Sequence, residues 1–113
     1  MASPIPSHWR EQVCKILDSN DRKRIILRQR AIRDWSDLFP DLFTGDLLIA
    51  LSEALEQPDL LGNPIADMDE DGQVYEFIFT YSNRAVYSKI NLCPDGTVII
   101  IYSAHRPLKG EFL

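Results

Sequence analysis

Apolar residues recur at helical spacing from the start of the chain. Trp9, Val13, Ile16 and Leu17 fall on one face while Arg10, Glu11 and Lys15 fall on others, so the spacing predicts a helix over 8–18 that Ser7 can cap. Ser19-Asn20 offers a break and a new cap. A second helix is predicted from Asp21 to Trp35, with Ile25, Leu27, Ala31, Ile32 and Trp35 set among Arg22, Lys23, Arg24, Arg28, Arg30 and Arg33. Asp37-Leu38-Phe39-Pro40-Asp41-Leu42-Phe43 repeats a D-L-F unit around a helix-breaking proline and reads as a turn pinned to the core by its two phenylalanines. Thr44 then caps a third helix, from Gly45 to about Glu56, whose apolar stripe of Leu47, Leu48, Leu51, Ala54 and Leu55 makes it the main helix packed on the sheet.

Beyond Pro58 the period changes from helical to alternating. Leu61-Gly62-Asn63-Pro64 has turn chemistry, and alternating segments follow at Gln73–Tyr81, Ala85–Leu92 and Thr97–Ser103. Ser82-Asn83-Arg84 and Cys93-Pro94-Asp95-Gly96 are short enough to close hairpins. The tail from Ala104 to Leu113 reads as a cover over one sheet edge. The expected fold is therefore α+β, with N-terminal helices packed on a C-terminal three-stranded antiparallel β-meander, in one domain spanning 1–113.

At 113 residues one core is expected, since a chain of this length buries about two-thirds of its unfolded surface. No apolar run approaches the roughly 18 residues needed to cross a bilayer, and Met1 to Pro6 lacks the basic and apolar regions of a secretory signal, so a cytoplasmic location is expected. Charge changes the picture more than composition does. The net value of −5 conceals a basic block over residues 1–33, an acidic block over 34–76 with no lysine or arginine, and a mildly basic block over 77–113. A basic and an acidic face can coexist on such a chain, so the acidic total does not exclude an anionic ligand.

Cys14 and Cys93 lack ligand spacing and a neighbouring base, and read as free thiols in a reducing compartment. Asp67-Met68-Asp69-Glu70-Asp71-Gly72 has the opening of a calcium loop, but Ile78 stands where the bidentate glutamate belongs and a strand follows in place of a helix. It reads as a solvated acidic turn. No metal or other cofactor is expected.

Chemistry concentrates near the chain's end. Tyr87, Lys89 and Asn91 share one strand face by the period of two, and His105-Arg106 follows the last strand. Metal-free RNA cleavage needs a base for the 2′-hydroxyl, an acid for the leaving 5′-oxygen and cations for the phosphate. His105 has the near-neutral side chain, Lys89 and Arg106 can hold phosphate, and Tyr87 can donate a proton or stack on a base. The candidate catalytic residues are thus Tyr87, Lys89, His105 and Arg106. Equally ordinary roles exist: His105 and Arg106 could pair with acidic neighbours, and Tyr87 and Lys89 could be the exposed face of a half-buried sheet. His8, at the first helix start, reads as a surface residue.

Over roughly half the chain, Gly45 to Tyr102, the order of a helix, an acidic loop, Gly72-Gln73-Val74-Tyr75, Val86-Tyr87-Ser88-Lys89-Ile90 and Val98-Ile99-Ile100-Ile101-Tyr102-Ser103 resembles the sheet region of the MqsR and RelE type of microbial ribonuclease toxin. The resemblance implies a compact sheet packed by helices, metal-independent cleavage of messenger RNA and binding of a cognate antitoxin. It also implies tyrosine, lysine and histidine or arginine roles for Tyr87, Lys89 and the His105-Arg106 pair. A second class follows from the acidic block: a non-enzymatic immunity or antitoxin-like module that covers a basic partner, since charge complementarity steers such association. An edge strand in so small a sheet also leaves homodimerisation open.

Overall fold

The three alternating segments do pair as consecutive antiparallel strands, but three further strands flank them. The computed structural model describes residues 2–108, 110 and 111. Its elements are β1 (Ser3–Pro4), α1 (Ser7–Ser19), β2 (Ile25–Leu27), α2 (Gln29–Leu38), α3 (Thr44–Leu55), β3 (Leu61–Ile65), β4 (Gln73–Tyr81), β5 (Arg84–Leu92) and β6 (Ile99–His105). They form a six-stranded mixed sheet in the order β1-β3-β4-β5-β6-β2. The expected fold of N-terminal helices on a three-stranded meander is therefore corrected: helices and strands are interspersed, and the meander is only the sheet's centre.

The largest departure lies in the basic segment predicted as one helix. Lys23 N–H donates to the Asp21 carboxylate (3.0 Å) and Arg24 N–H to the Asp21 carbonyl (2.9 Å), closing a turn in place of a helix start. Ile25, Ile26 and Leu27 then pair in parallel with Ile99, Ile100 and Ile101, and Ile99 N–H and Arg28 N–H donate to the Arg24 and Ile101 carbonyls. An apolar run opening with two β-branched isoleucines satisfies its backbone beside a buried isoleucine strand, and the tertiary pairing overrides the helical spacing. The helix begins only at Gln29.

Leu61-Gly62-Asn63-Pro64 departs in the same sense. It extends along β4 as β3, with Gly62 opposite Phe77 and Pro64 opposite Tyr75. Pro64 lies beyond the reach of β1, which pairs only with Leu61 and Gly62, so its missing N–H faces a free edge and costs no ladder bond. Gly62 is needed for close approach: a Cβ there would sit 2.7 Å from Ile5 Cδ1.

Other local expectations hold with adjusted ends. Asn20, at φ 52°, stops α1. Ser7 supplies no side-chain cap, and α3 starts with the Asp46 carboxylate accepting the Phe43 N–H (2.8 Å) in place of a Thr44 cap. Phe39 is buried as the D-L-F turn requires, whereas Phe43 is 80 % exposed. The β4–β5 hairpin turns on Ser82 and Asn83, both at positive φ (48° and 64°), the two-residue geometry whose twist matches the strands. Ala104 and His105 of the expected tail instead belong to β6, and Lys109, Phe112 and Leu113 lie outside the described residues.

All three helices bury their apolar stripes against one sheet face. Trp9, Val13 and Ile16 of α1, Ala31 and Trp35 of α2, and Leu47, Leu51 and Leu55 of α3 join Phe77, Val86, Ile90, Ile99 and Ile101 in one core. Arg10, on the predicted polar side of α1, is buried instead and donates to the Leu55 carbonyl (2.9 Å), satisfying the C-terminus of α3. Among the described residues no helix is long and apolar enough to cross a membrane.

Candidate functional site

Among the described residues the second face of the sheet carries no helix. Val74, Tyr87 and Ile100 are buried there yet stand outside the helix-packed core, on the face where the β3–β4 loop reaches Tyr102 and Asn91 and Glu111 reaches His105. Tyr87, Lys89 and Asn91 share this face, as the alternation predicts. Tyr102 and His105 are three apart on β6 and would point to opposite faces of a regular strand. A bulge reconciles them: the register slips between Lys89 and Ile90, Tyr102 has no direct partner, and both side chains emerge on the open face.

At one end of this face Tyr87 and His105 are cross-strand partners with stacked rings, 5.1 Å between centroids and 23° between planes. The Tyr87 hydroxyl donates to Glu76 (2.7 Å), which also accepts from Asn63 Nδ2 (3.3 Å). Burial, then the bond to the Glu76 carboxylate, pushes the Tyr87 phenol well above its ordinary range. It is a fixed donor at working pH. His105 Nδ1 lies 2.7 Å from the Arg106 carbonyl and 3.8 Å from the Glu111 carboxylate. A proton on Nδ1 satisfies that carbonyl and leaves Nε2 as the basic nitrogen.

His105 also lines a groove of about 450 Å³ with Arg106 and Leu108, Arg84 at the start of β5, and Arg30, Asp34, Asp37 and Leu38 of α2. It forms because β2 pairs only with Ile99–Ile101, so α2 rather than a strand flanks the end of β6. Arg84 leans on the C-terminus of α2, 3.4 Å from the Leu38 carbonyl and 5.9 Å from the Phe39 ring centre. Arg30 pairs with Asp34 (3.6 Å), while Arg106 is exposed and pairs with no carboxylate among the described residues.

Of the four sequence-predicted site residues, His105 and Arg106 meet in this groove. Tyr87 is 4 % exposed and stands behind the imidazole rather than in the groove. Lys89 lies further along the open face, opposite Glu76 and Ser103 in register, with no carboxylate within 4 Å among the described residues.

The far end of the open face holds a cluster that sequence reasoning missed. Arg28 Nη2 pairs with Glu70 (3.1 Å), Tyr102 donates to the other Glu70 oxygen (2.7 Å), and Arg28 lies over the Tyr102 ring at 5.9 Å. Buried Asn91 donates through Nδ2 to the Tyr102 hydroxyl and to the Asp71 carbonyl, both at 3.1 Å. Gly72, at φ 138°, lies so close to Asn91 that a Cβ would collide with its Oδ1, which has no hydrogen-bond partner. Tyr102, chiefly through burial, is pushed up to about 12, and its hydrogen bond, aided by Arg28, holds Glu70 below the usual carboxylate range. Only Asn91, through the period of two, carried a local signal.

The acidic run is thus partly a clasp over the sheet rather than a wholly solvated turn. Among the described residues no three His, Cys, Asp or Glu side chains cluster as metal ligands would. Both thiols are free and half-buried, and burial raises each, Cys14 to about 11. Comparison with protein-family models, with curated proteins and with solved structures gave no match to this chain.

Proposed function

We propose that this chain is a metal-independent RNA-cleaving protein of the toxin type, acting in the groove between α2 and the end of β6. The observation that carries the reading is that His105, Arg84 and Arg106 line one groove. An imidazole with a free Nε2 can take the proton of a 2′-hydroxyl as its oxygen attacks phosphorus. The 5′-oxygen then leaves, taking back the proton from the imidazolium so formed, and a 2′,3′-cyclic phosphate remains. Arg84 and Arg106 suit the developing charge on the non-bridging oxygens. Tyr87 is a positioning residue that fixes the imidazole plane from behind. Lys89 lies on the path a strand would follow along the open face.

The test is incubation of labelled RNA with the full chain in EDTA. Wild type is expected to cut and to leave cyclic phosphate ends. His105→Ala should lower the rate by about 10²- to 10⁴-fold and Arg84→Ala by roughly 10²-fold, while Lys89→Ala keeps most of it. Cleavage undiminished in His105→Ala would place the chemistry elsewhere. No cleavage by wild type would favour the second reading, a non-enzymatic module for a basic protein partner, which the net charge of −5 and the presence of Asp34 and Asp37 in the same groove support.

A further inference from the structure

We infer that Arg28 and Tyr102 form a phosphate subsite on the open sheet face, and that the chain's own Glu70 fills it, so that the β3–β4 loop is a displaceable guard. The arrangement matches how proteins hold a phosphate oxygen: a guanidinium at 3.1 Å and a phenol donor at 2.7 Å converge on the two oxygens of one carboxylate. Carboxylate and phosphate present equivalent acceptors to such donors, so one can replace the other without moving the protein groups.

Glu70 is placed to leave. The side chains of Arg28 and Glu70 are 44 % and 38 % exposed, and an ion pair so open to water contributes little net stability. Within residues 66–72 the loop makes one backbone hydrogen bond, Met68 N–H to the Ala66 carbonyl. Its C-terminal end is anchored differently: buried Asn91 holds the Asp71 carbonyl, and Gly72 takes a backbone angle open mainly to glycine. Residues 66–70 can therefore swing about a fixed hinge at Asp71-Gly72.

The charge balance says what would displace it. With the loop closed, Glu70 neutralises Arg28, and the exposed Asp67, Asp69 and Asp71 flank it in the chain and repel an approaching anion. With Glu70 withdrawn, Arg28 and unpaired Lys89 face the solvent on one surface, while Glu76 stays occupied by Tyr87 and Asn63. Arg28 follows the edge strand β2, Lys89 lies on β5 and His105 ends β6 beside the groove, a spread that suits successive phosphates of a single RNA strand. The assignment of RNA as the ligand rests on the proposed function; the displacement of Glu70 does not.

The experiment measures binding, not cleavage, using full-length protein carrying His105→Ala and a fluorescein-labelled single-stranded RNA followed by anisotropy. Adding Glu70→Gln should tighten binding about tenfold, by removing the internal competitor and one repelling charge. Adding Arg28→Ala to that double variant should abolish the gain, and hydrogen exchange of 66–70 in the parent should quicken when RNA is added. Circular dichroism checks that each variant folds. Unchanged affinity in Glu70→Gln, or a gain that survives Arg28→Ala, overturns the subsite. Inorganic phosphate is the second probe: if it binds Glu70→Gln as tightly as the RNA does, the ligand is a free phosphate and the strand assignment falls. A tighter Glu70→Gln variant of a chain whose wild type cuts nothing would uphold the guard and sink the nuclease.

Discussion

The two faces of the sheet are built from the same strands and yet do opposite work. On the helix side, Phe77, Val86, Ile90, Ile99 and Ile101 meet the apolar stripes of three helices, and the polar groups buried with them, such as Ser88 and Arg10, donate to backbone carbonyls. On the other side the same strands present Lys89 and two hydrogen-bonded pairs, Glu76 with Tyr87 and Asn91 with Tyr102, the latter held by Glu70 of the acidic loop. Apolar burial stabilises without regard to direction, whereas a polar network stabilises only when each partner is met. The first face accounts for the fold. The second is shaped to present charge.

The widest separation of the two faces is expected from truncating one large side chain on each. Phe77 is fully buried among core residues, and Phe77→Ala should cost about 3 to 5 kcal/mol, read from the denaturant midpoint at unchanged slope. Tyr87 is nearly as buried, but Tyr87→Phe removes only the hydroxyl that Glu76 accepts, a charge-assisted bond whose loss should cost about 1 to 2 kcal/mol. A Tyr87→Phe loss as large as that of Phe77→Ala would mean that the open face is a second core, and the contrast would fail.

What could be read from the sequence divides along another line, between local and distant pairing. β4, β5 and β6 were legible because their alternation and the turn at Ser82-Asn83 are local signals. β2 was not, because three apolar residues inside a basic run become a strand only by meeting Ile99–Ile101, far along the chain. β3 was hidden by Gly62 and Pro64, which signal a turn until a neighbour tolerates both at an edge. The site followed the same rule. Tyr87, Lys89 and Asn91 were placed on one face by the period of two, but the groove depends on α2 lying beside β6. The Arg28–Glu70 pair joins segments that share no local pattern.

The finest distinction between the faces is in their response to alkali, because only the open face buries phenols against carboxylates. Tyr102 is pushed up to about 12, by burial first and also by the Glu70 carboxylate it donates to, against an unfolded value of about 10. A group with a raised folded pKa contributes stability that is whole below the unfolded value and is lost as pH rises through the folded one. The Tyr102 contribution should therefore be intact at neutral pH and fade between about pH 10 and about 12, as phenolate and carboxylate come to repel each other. Tyr87 shares the direction and also titrates late. Urea midpoints measured across that window should fall less steeply in Tyr102→Phe than in wild type, and the phenolate absorbance titration of the variant should lose one late step. Parallel midpoint curves would show that the Tyr102 hydroxyl is already free of Glu70, with the loop standing open in solution.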